Sequence, residues 1–266
     1  MTDSLKWVNQ AIIDEVVPKK KGACEFRVPE SHDDLIFTAK LAEQAERYDE
    51  MVLCMKKVVK LNPELNVEER NLLALAYKNV ITTRRSAWRV VIAIEAREIE
   101  AFGTTAATPL IGMLRQQFEA ELAAVCEDFF ALLEQYLIPA AQGGEAQVFY
   151  LKLKGDYHRY YAEVIPSEAQ KQAAKEAYER ATQVANASLP ATHPTRLGLV
   201  LNVSVFHYEI LKQRETGFAM ARTAYNEAAP ELESLDPEAF REAAVTVQML
   251  RDNLNMWSDD MQQQQQ

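Results

Sequence analysis

The residues able to do chemistry fall in two short stretches. In "YKNVITTRRSAWRV" (77–90), Lys78, Arg85 and Arg89 stand at i, i+7 and i+11. A helix turns about 100° per residue, so the three lie within roughly 40° of one another, and Arg84 points well away from them. In "YLKLKGDYHRYYAEV" (150–164), Lys152 and Arg159 repeat the i, i+7 spacing, and Tyr160 follows Arg159. Left unpaired, Arg85 and Arg89 at i, i+4 repel by about 0.2–0.5 kcal/mol. Something acidic must offset them, either an intramolecular carboxylate, the usual fate of a charge run, or a bound anion. Arginine's planar fork matches the oxygens of an oxyanion. A phosphate monoester brings roughly −1.5 to −2 charges and three acceptor oxygens. Two arginines, a lysine and a tyrosine hydroxyl drawn from two helices could bind it, each charge-assisted bond contributing about 1.5–3 kcal/mol.

The elements that must position these residues are helices. The first stretch and the residues bordering it carry Ala76, Val80, Ala87, Trp88 and Val91 on the other faces, which suits packing against neighbours. Across 266 residues, 48% are apolar and only 8 are Gly, a profile poor in turns, and most of the 10 prolines punctuate periodic segments rather than interrupt them. Asn66 with Glu69, Ser167 with Gln170, and Asp236 before Pro237 are helix-start signals. The expected class is all-α, with about nine helices over 32–47, 49–61, 67–99, 110–136, 145–164, 168–187, 194–212, 215–233 and 237–258. Pro230 predicts a kink or early stop.

Residues 1–31 stand apart as an N-terminal extension. Leu5, Val8, Ile12 and Val16 mark one face of a short helix, followed by the basic linker "PKKKGACEFRVPE". A basic run after an amphipathic helix could touch a membrane surface, but this helix is not itself basic, which favours docking on protein. Residues 32–258 read as a single domain, and 259–266 as a polar, Gln-rich disordered tail.

A formal net charge of −10 argues against nucleic acid as a partner, since phosphate-backbone binding needs a basic footprint. Cys24, Cys54 and Cys126 lack metal-type spacing and read as reduced thiols; no metal or cofactor is expected. No apolar run approaches the roughly 18 residues that span a bilayer, so no membrane insertion is expected. The N-terminus lacks the apolar core of a signal peptide, giving an expected cytoplasmic location. No metalloprotease, dinucleotide or P-loop pattern appears. Asp156 and His158, at i, i+2, do not face each other, and His193 and His207 read as structural. An enzyme is therefore not expected.

Six ordered blocks, "KLAEQAERYDEM" (40–51), "ERNLLALAYKN" (69–79), "RRSAWRV" (84–90), "YLKLKGDYHRY" (150–160), "THPTRLGLVLNVSVFHYEI" (192–210) and "LRDNLNMW" (250–257), give a resemblance to the 14-3-3 phosphopeptide-binding adaptors over residues 34 to 258. The resemblance implies a concave cup of antiparallel helices with an amphipathic groove, in which Lys78, Arg85, Arg159 and Tyr160 hold a phosphate. Asn202 and Asn253 would bond the ligand backbone, with Glu209 and Trp257 meeting near the groove wall. Leu201, Val205 and Met249 would line its apolar side, and Arg89 and Lys152 would widen the basic field. The implied partners are phosphorylated client proteins in the cytoplasm or nucleus.

A homodimer, or a heterodimer with a related chain, is also implied, with Leu41, Ala45 and Arg47 at the interface and Arg47 paired to Glu121. On their own, Asn202 and Asn253 read as buried amides served by a neighbouring helix, and the row Val245, Met249, Asn253 reads as core. The chain departs from the resemblance at Leu114, Gln117, Ala87 and Thr246, and Glu50 is expected to lack its cross-dimer lysine. The alternative reading is a helical anion-binding scaffold for inositol phosphates or acidic membranes.

Overall fold

A computed structural model of the chain describes residues 26–263. The expected N-terminal helix and most of its basic linker lie outside the described residues. Asn66 starts the longest helix as the spacing predicts. Its side chain accepts from Glu69 N at 3.0 Å, while Glu69 Oε2 accepts from Asn66 N at 2.9 Å. Ser167 accepts from Gln170 N, and Asp236 from the amides of Glu238 and Ala239. The Asn66 cap sets where the helix that carries Lys78, Arg85 and Arg89 begins.

In chain order the helices are α1 His32–Gln44, α2 Tyr48–Leu61, α3 Val67–Phe102, α4 Thr108–Leu132, α5 Gly143–Val164, α6 Glu168–Ser188, α7 Pro194–Val205, α8 Arg214–Ala228 and α9 Pro237–Gln263. Among the described residues there is no strand. α4 continues through a π-turn at Leu133–Leu137, and α7 through another at Phe206–Ile210. The expected break at Pro230 is a 3₁₀ segment, Ala229–Ser234. α9 continues past 258 to Gln263, five residues into the stretch read as a disordered tail. The π-turn at Phe206–Ile210 is tied to this end of α9, because Tyr208 Oη donates to Asp260 Oδ2 at 2.7 Å.

Three apolar clusters join the helices in sequence. Leu35, Met51, Leu73, Tyr77, Leu122 and Phe129 bind α1 to α4. Val148, Ala181, Leu199 and Phe206 join α5, α6 and α7. Tyr208, Ala221, Leu250 and Trp257 close α7 onto α8 and α9. Tyr77 stacks on Phe129 at 4.1 Å between ring centres, and Tyr157 meets Phe129 at 4.5 Å, so α3, α4 and α5 share one aromatic seam. The cationic residues of α3 and α5 flank this seam.

α3 is buried along its first two-thirds only. Beyond Val91 it carries no buried residue, and Phe102 is 71% exposed. Leu110 and Met113 at the start of α4 are exposed as well, so the α3–α4 hairpin ends in an open apolar tip.

Candidate functional site

Arg85 and Arg89 both turn toward α5, where one carboxylate receives them. Arg85 Nε donates to Glu163 Oε2 at 3.1 Å, and Arg85 Nη2 bonds the same oxygen. Arg89 donates through Nε at 3.0 Å and Nη2 at 2.5 Å to Glu163 Oε1. The offset for the arginine pair is thus an intramolecular acid, the ordinary of the two alternatives. Burial alone would raise the Glu163 carboxyl, but the charges of Arg85 and Arg89 and their hydrogen bonds outweigh it and hold it below its usual range. Arg84 lies elsewhere, as its angle requires: it bonds Val80 O and Asp49, with Glu121 3.6 Å away.

A second acid organises α5. Asp156, 3% exposed, accepts from Tyr178 Oη at 2.6 Å and Asn202 Nδ2 at 2.7 Å on one oxygen. Its other oxygen accepts from Lys152 Nζ at 2.9 Å, and Arg159 Nη2 stands 3.6 Å from the first. Arg159 Nε donates to Tyr178 Oη at 3.2 Å. Burial would raise the Asp156 carboxyl, yet Lys152, Arg159 and the Tyr178 hydroxyl hold it below its usual range. Burial and the neighbouring Asp156 charge push the Tyr178 phenol well up, keeping it a donor. The close approach depends on Gly155, where an added Cβ would stand 2.5 Å from the Tyr178 ring.

Between the two acids lies Tyr160. The Arg85 guanidinium sits 4.1 Å from its ring centre and that of Arg159 4.6 Å. One aromatic ring therefore brings together guanidiniums from α3 and α5. Lys78 is exposed, two turns before Arg85 on α3, or about 10 Å along the axis, and has no acidic partner among the described residues.

These arginines line an open cleft of about 590 Å³ together with Glu163, Val205, Tyr208 and Glu209. Lys171, Lys212 and Arg214 line it too, so six cations face two carboxylates in a protein of net charge −10. Such a cleft concentrates anions. The π-turn at Phe206–Ile210 sets Glu209 and Ile210 on its wall.

The remaining residues divide. Leu201 and Val205 are half-buried, while Met249 and Val245 are exposed at 51% and 63%, so that row on α9 is not core. Asn253 is half-buried. Asn202 is served by another helix, as its residue type alone predicts; a second amide N–H and its carbonyl oxygen remain beyond the Asp156 bond. Trp257 does not bond Glu209. It is 1% exposed, stacked on Tyr208 at 4.3 Å, and its Nε1 is buried without a partner, because the inward face of α9 carries Ala243, Val247, Leu250 and Trp257.

At the other end, Leu41 and Phe37 are exposed at 53% and 63%. Ala45 and Arg47 are exposed too, but within the chain Arg47 bonds Glu50 rather than Glu121. Glu121 accepts from Gln117 at 3.1 Å and neighbours Arg84. Glu50 thus has a cation, its i−3 neighbour. Glu163 and Tyr178 went unremarked in the sequence, and Asp156 was weighed only beside His158. The available signal was spacing, since Asp156 stands i+4 from Lys152 and i−3 from Arg159, and Glu163 i+4 from Arg159.

The described residues form nine helices of twelve or more residues, and the cationic faces of α3 and α5 meet over an amphipathic cleft, which places the chain among all-α proteins with a helical groove. The sequence profile described as "14-3-3 protein" matches residues 38–258. The chain is 49% identical over 232 residues to the 14-3-3-like protein GF14 iota of Arabidopsis thaliana, covering 86% of each. It is 50% identical over 235 residues to a 14-3-3 protein homolog of Candida albicans, covering 87% of this chain and 89% of that one. It is 49% identical over 238 residues to the checkpoint signal transducer rad25 of Schizosaccharomyces pombe, covering 88% of each. The chain belongs to the 14-3-3 family. Membership supports an adaptor role in signal transduction.

Proposed function

We propose that this chain is a non-enzymatic adaptor whose cleft takes phosphoserine or phosphothreonine segments of client proteins. The observation that carries this reading is the pair of guanidiniums, Arg85 and Arg159, held against the two helices' shared Tyr160 ring at the cleft wall. Arg85, Arg159 and the Tyr160 hydroxyl take the phosphate, and Lys78 and Arg89 add to the attracting field. Asn202 and Asn253 bond the extended ligand backbone, while Leu201, Val205 and Met249 meet the flanking side chains. Clients of this kind place the protein in the cytoplasm and nucleus. Calorimetric titration with a phosphoserine peptide and its unphosphorylated twin tests the reading; equal heats and affinities for the two would end it. Displacement of the peptide by inositol hexakisphosphate or anionic vesicles at equal concentration would favour the general anion scaffold instead.

The exposed apolar side chains of α1 and of the α3–α4 hairpin support self-association. In the dimer, Leu41 and Ala45 meet a second copy, with Arg47 and Glu121 at the rim. Two clefts then engage two phosphosites on one client, and avidity rises through effective concentration. Leu41→Asp places a charge in this contact and shifts the sedimenting species from dimer to monomer. A dimer of unchanged stability would remove α1 from the interface.

A further inference from the structure

Glu163 holds an unusual position for a residue lining an anion site. Its carboxylate already occupies what an incoming oxyanion needs. Oε2 takes the Nε–Nη2 edge of Arg85 and Oε1 the same edge of Arg89, four donors on two oxygens. That edge is the one a guanidinium uses for a bidentate bond to phosphate or carboxylate. The side chain of Glu163 is 21% exposed and lines the cleft, so ligand and carboxylate reach for the same groups from the same space. Arg159 differs: its Nε is turned into the fold toward Tyr178, and its acid, Asp156, is buried rather than facing the cleft.

Building on the phosphate reading above, we propose that Glu163 is a resident competing anion. It keeps Arg85 and Arg89 together while the cleft is empty and yields Arg85 when a phosphate arrives, setting the minimum strength an anion needs to bind. Two physical features support this over a purely positioning role. Arg85 is already fixed without Glu163, by its stacking on the Tyr160 ring at 4.1 Å. Exchange also conserves the ion-pair count: Arg85 passes from one oxyanion to another, while Glu163 keeps Arg89 on its second oxygen. A weak or singly charged group faces the same displacement cost as a phosphate, with less attraction to meet it.

The test is Glu163→Gln, which keeps the shape and removes the charge. A fluorescein-labelled phosphoserine peptide and its glutamate and serine twins are titrated by fluorescence polarisation against wild type and variant. The variant is expected to bind the phosphopeptide about three- to tenfold more tightly, the range set by freeing one partly buried ion pair. The glutamate twin gains by a comparable factor, and the serine twin gains nothing. The affinity also falls more steeply with salt, because the cleft carries one more net positive charge. Glu163→Asp, which retracts the carboxylate by one methylene, gives an intermediate gain and serves if the glutamine variant unfolds at a lower temperature. Unchanged or weaker phosphopeptide binding in folded variants overturns the proposal and leaves Glu163 as a positioning residue. If wild type itself fails to separate the phosphopeptide from its serine twin, the phosphate reading has failed instead.

Discussion

Arg159→Ala is expected to weaken phosphoserine-peptide binding by about 2–4 kcal/mol, and Arg85→Ala by a comparable amount, the range of a central interface anchor. The two arginines stand on opposite helices with Tyr160 between them, so each covers a different side of the bound group. Their losses should differ in kind. Arg85 gives up Glu163 to bind, so its alanine variant also frees that carboxylate in the cleft, adding repulsion to the missing bond. Arg159 keeps its Nε on Tyr178 throughout, so its loss removes attraction and unsettles Asp156. A double variant losing no more than either single one would show the two acting as a unit. Polarisation titration, with thermal unfolding of each variant alongside, separates lost contact from lost fold.

Asp156→Asn is expected to lower folding stability by about 3–5 kcal/mol, because it leaves Lys152 and Arg159 without their shared buried acid. Four groups from three helices converge on this carboxylate, and an amide can accept from only some of them. The sign with pH follows from the direction of its shift. The folded carboxyl lies below the unfolded one, so its contribution is full above the ordinary carboxylate range and is lost as pH falls through the folded value. Denaturant unfolding of wild type should therefore show an acid-side loss of stability between about pH 5 and the folded value that the asparagine variant lacks in part. Equal stabilities near neutral pH would mean that Asp156 is not holding the α5–α6–α7 junction.

The helix starts at Asn66, Ser167 and Asp236 were legible because capping is local, three residues being enough to state it. The cationic stripe was legible for the same reason, since angular position follows from spacing, and Arg84 does point away. What the stripe binds within the fold was not legible. Glu163 lies 78 residues from Arg85, and no local rule selects it over the many other acids. The residues of α9 show both sides of the limit. Met249 and Val245 looked like core from their i, i+4 row but are exposed, while Trp257 looked like a groove residue by resemblance and is buried under Tyr208. Periodicity gives the faces of a helix, and only the neighbouring helices decide which face is covered. The end of α9 was missed because its stabilising contact, Tyr208 to Asp260, comes from α7's π-turn.

Determining the structure of the full chain with a bound phosphoserine peptide tests the central claim most directly. The account predicts phosphate oxygens within about 3 Å of the Arg85 and Arg159 guanidiniums and the Tyr160 hydroxyl, with the Glu163 carboxylate withdrawn from Arg85 and still on Arg89. A phosphate seated away from Tyr160, or a peptide held with both arginines still in their present pairs, would contradict it.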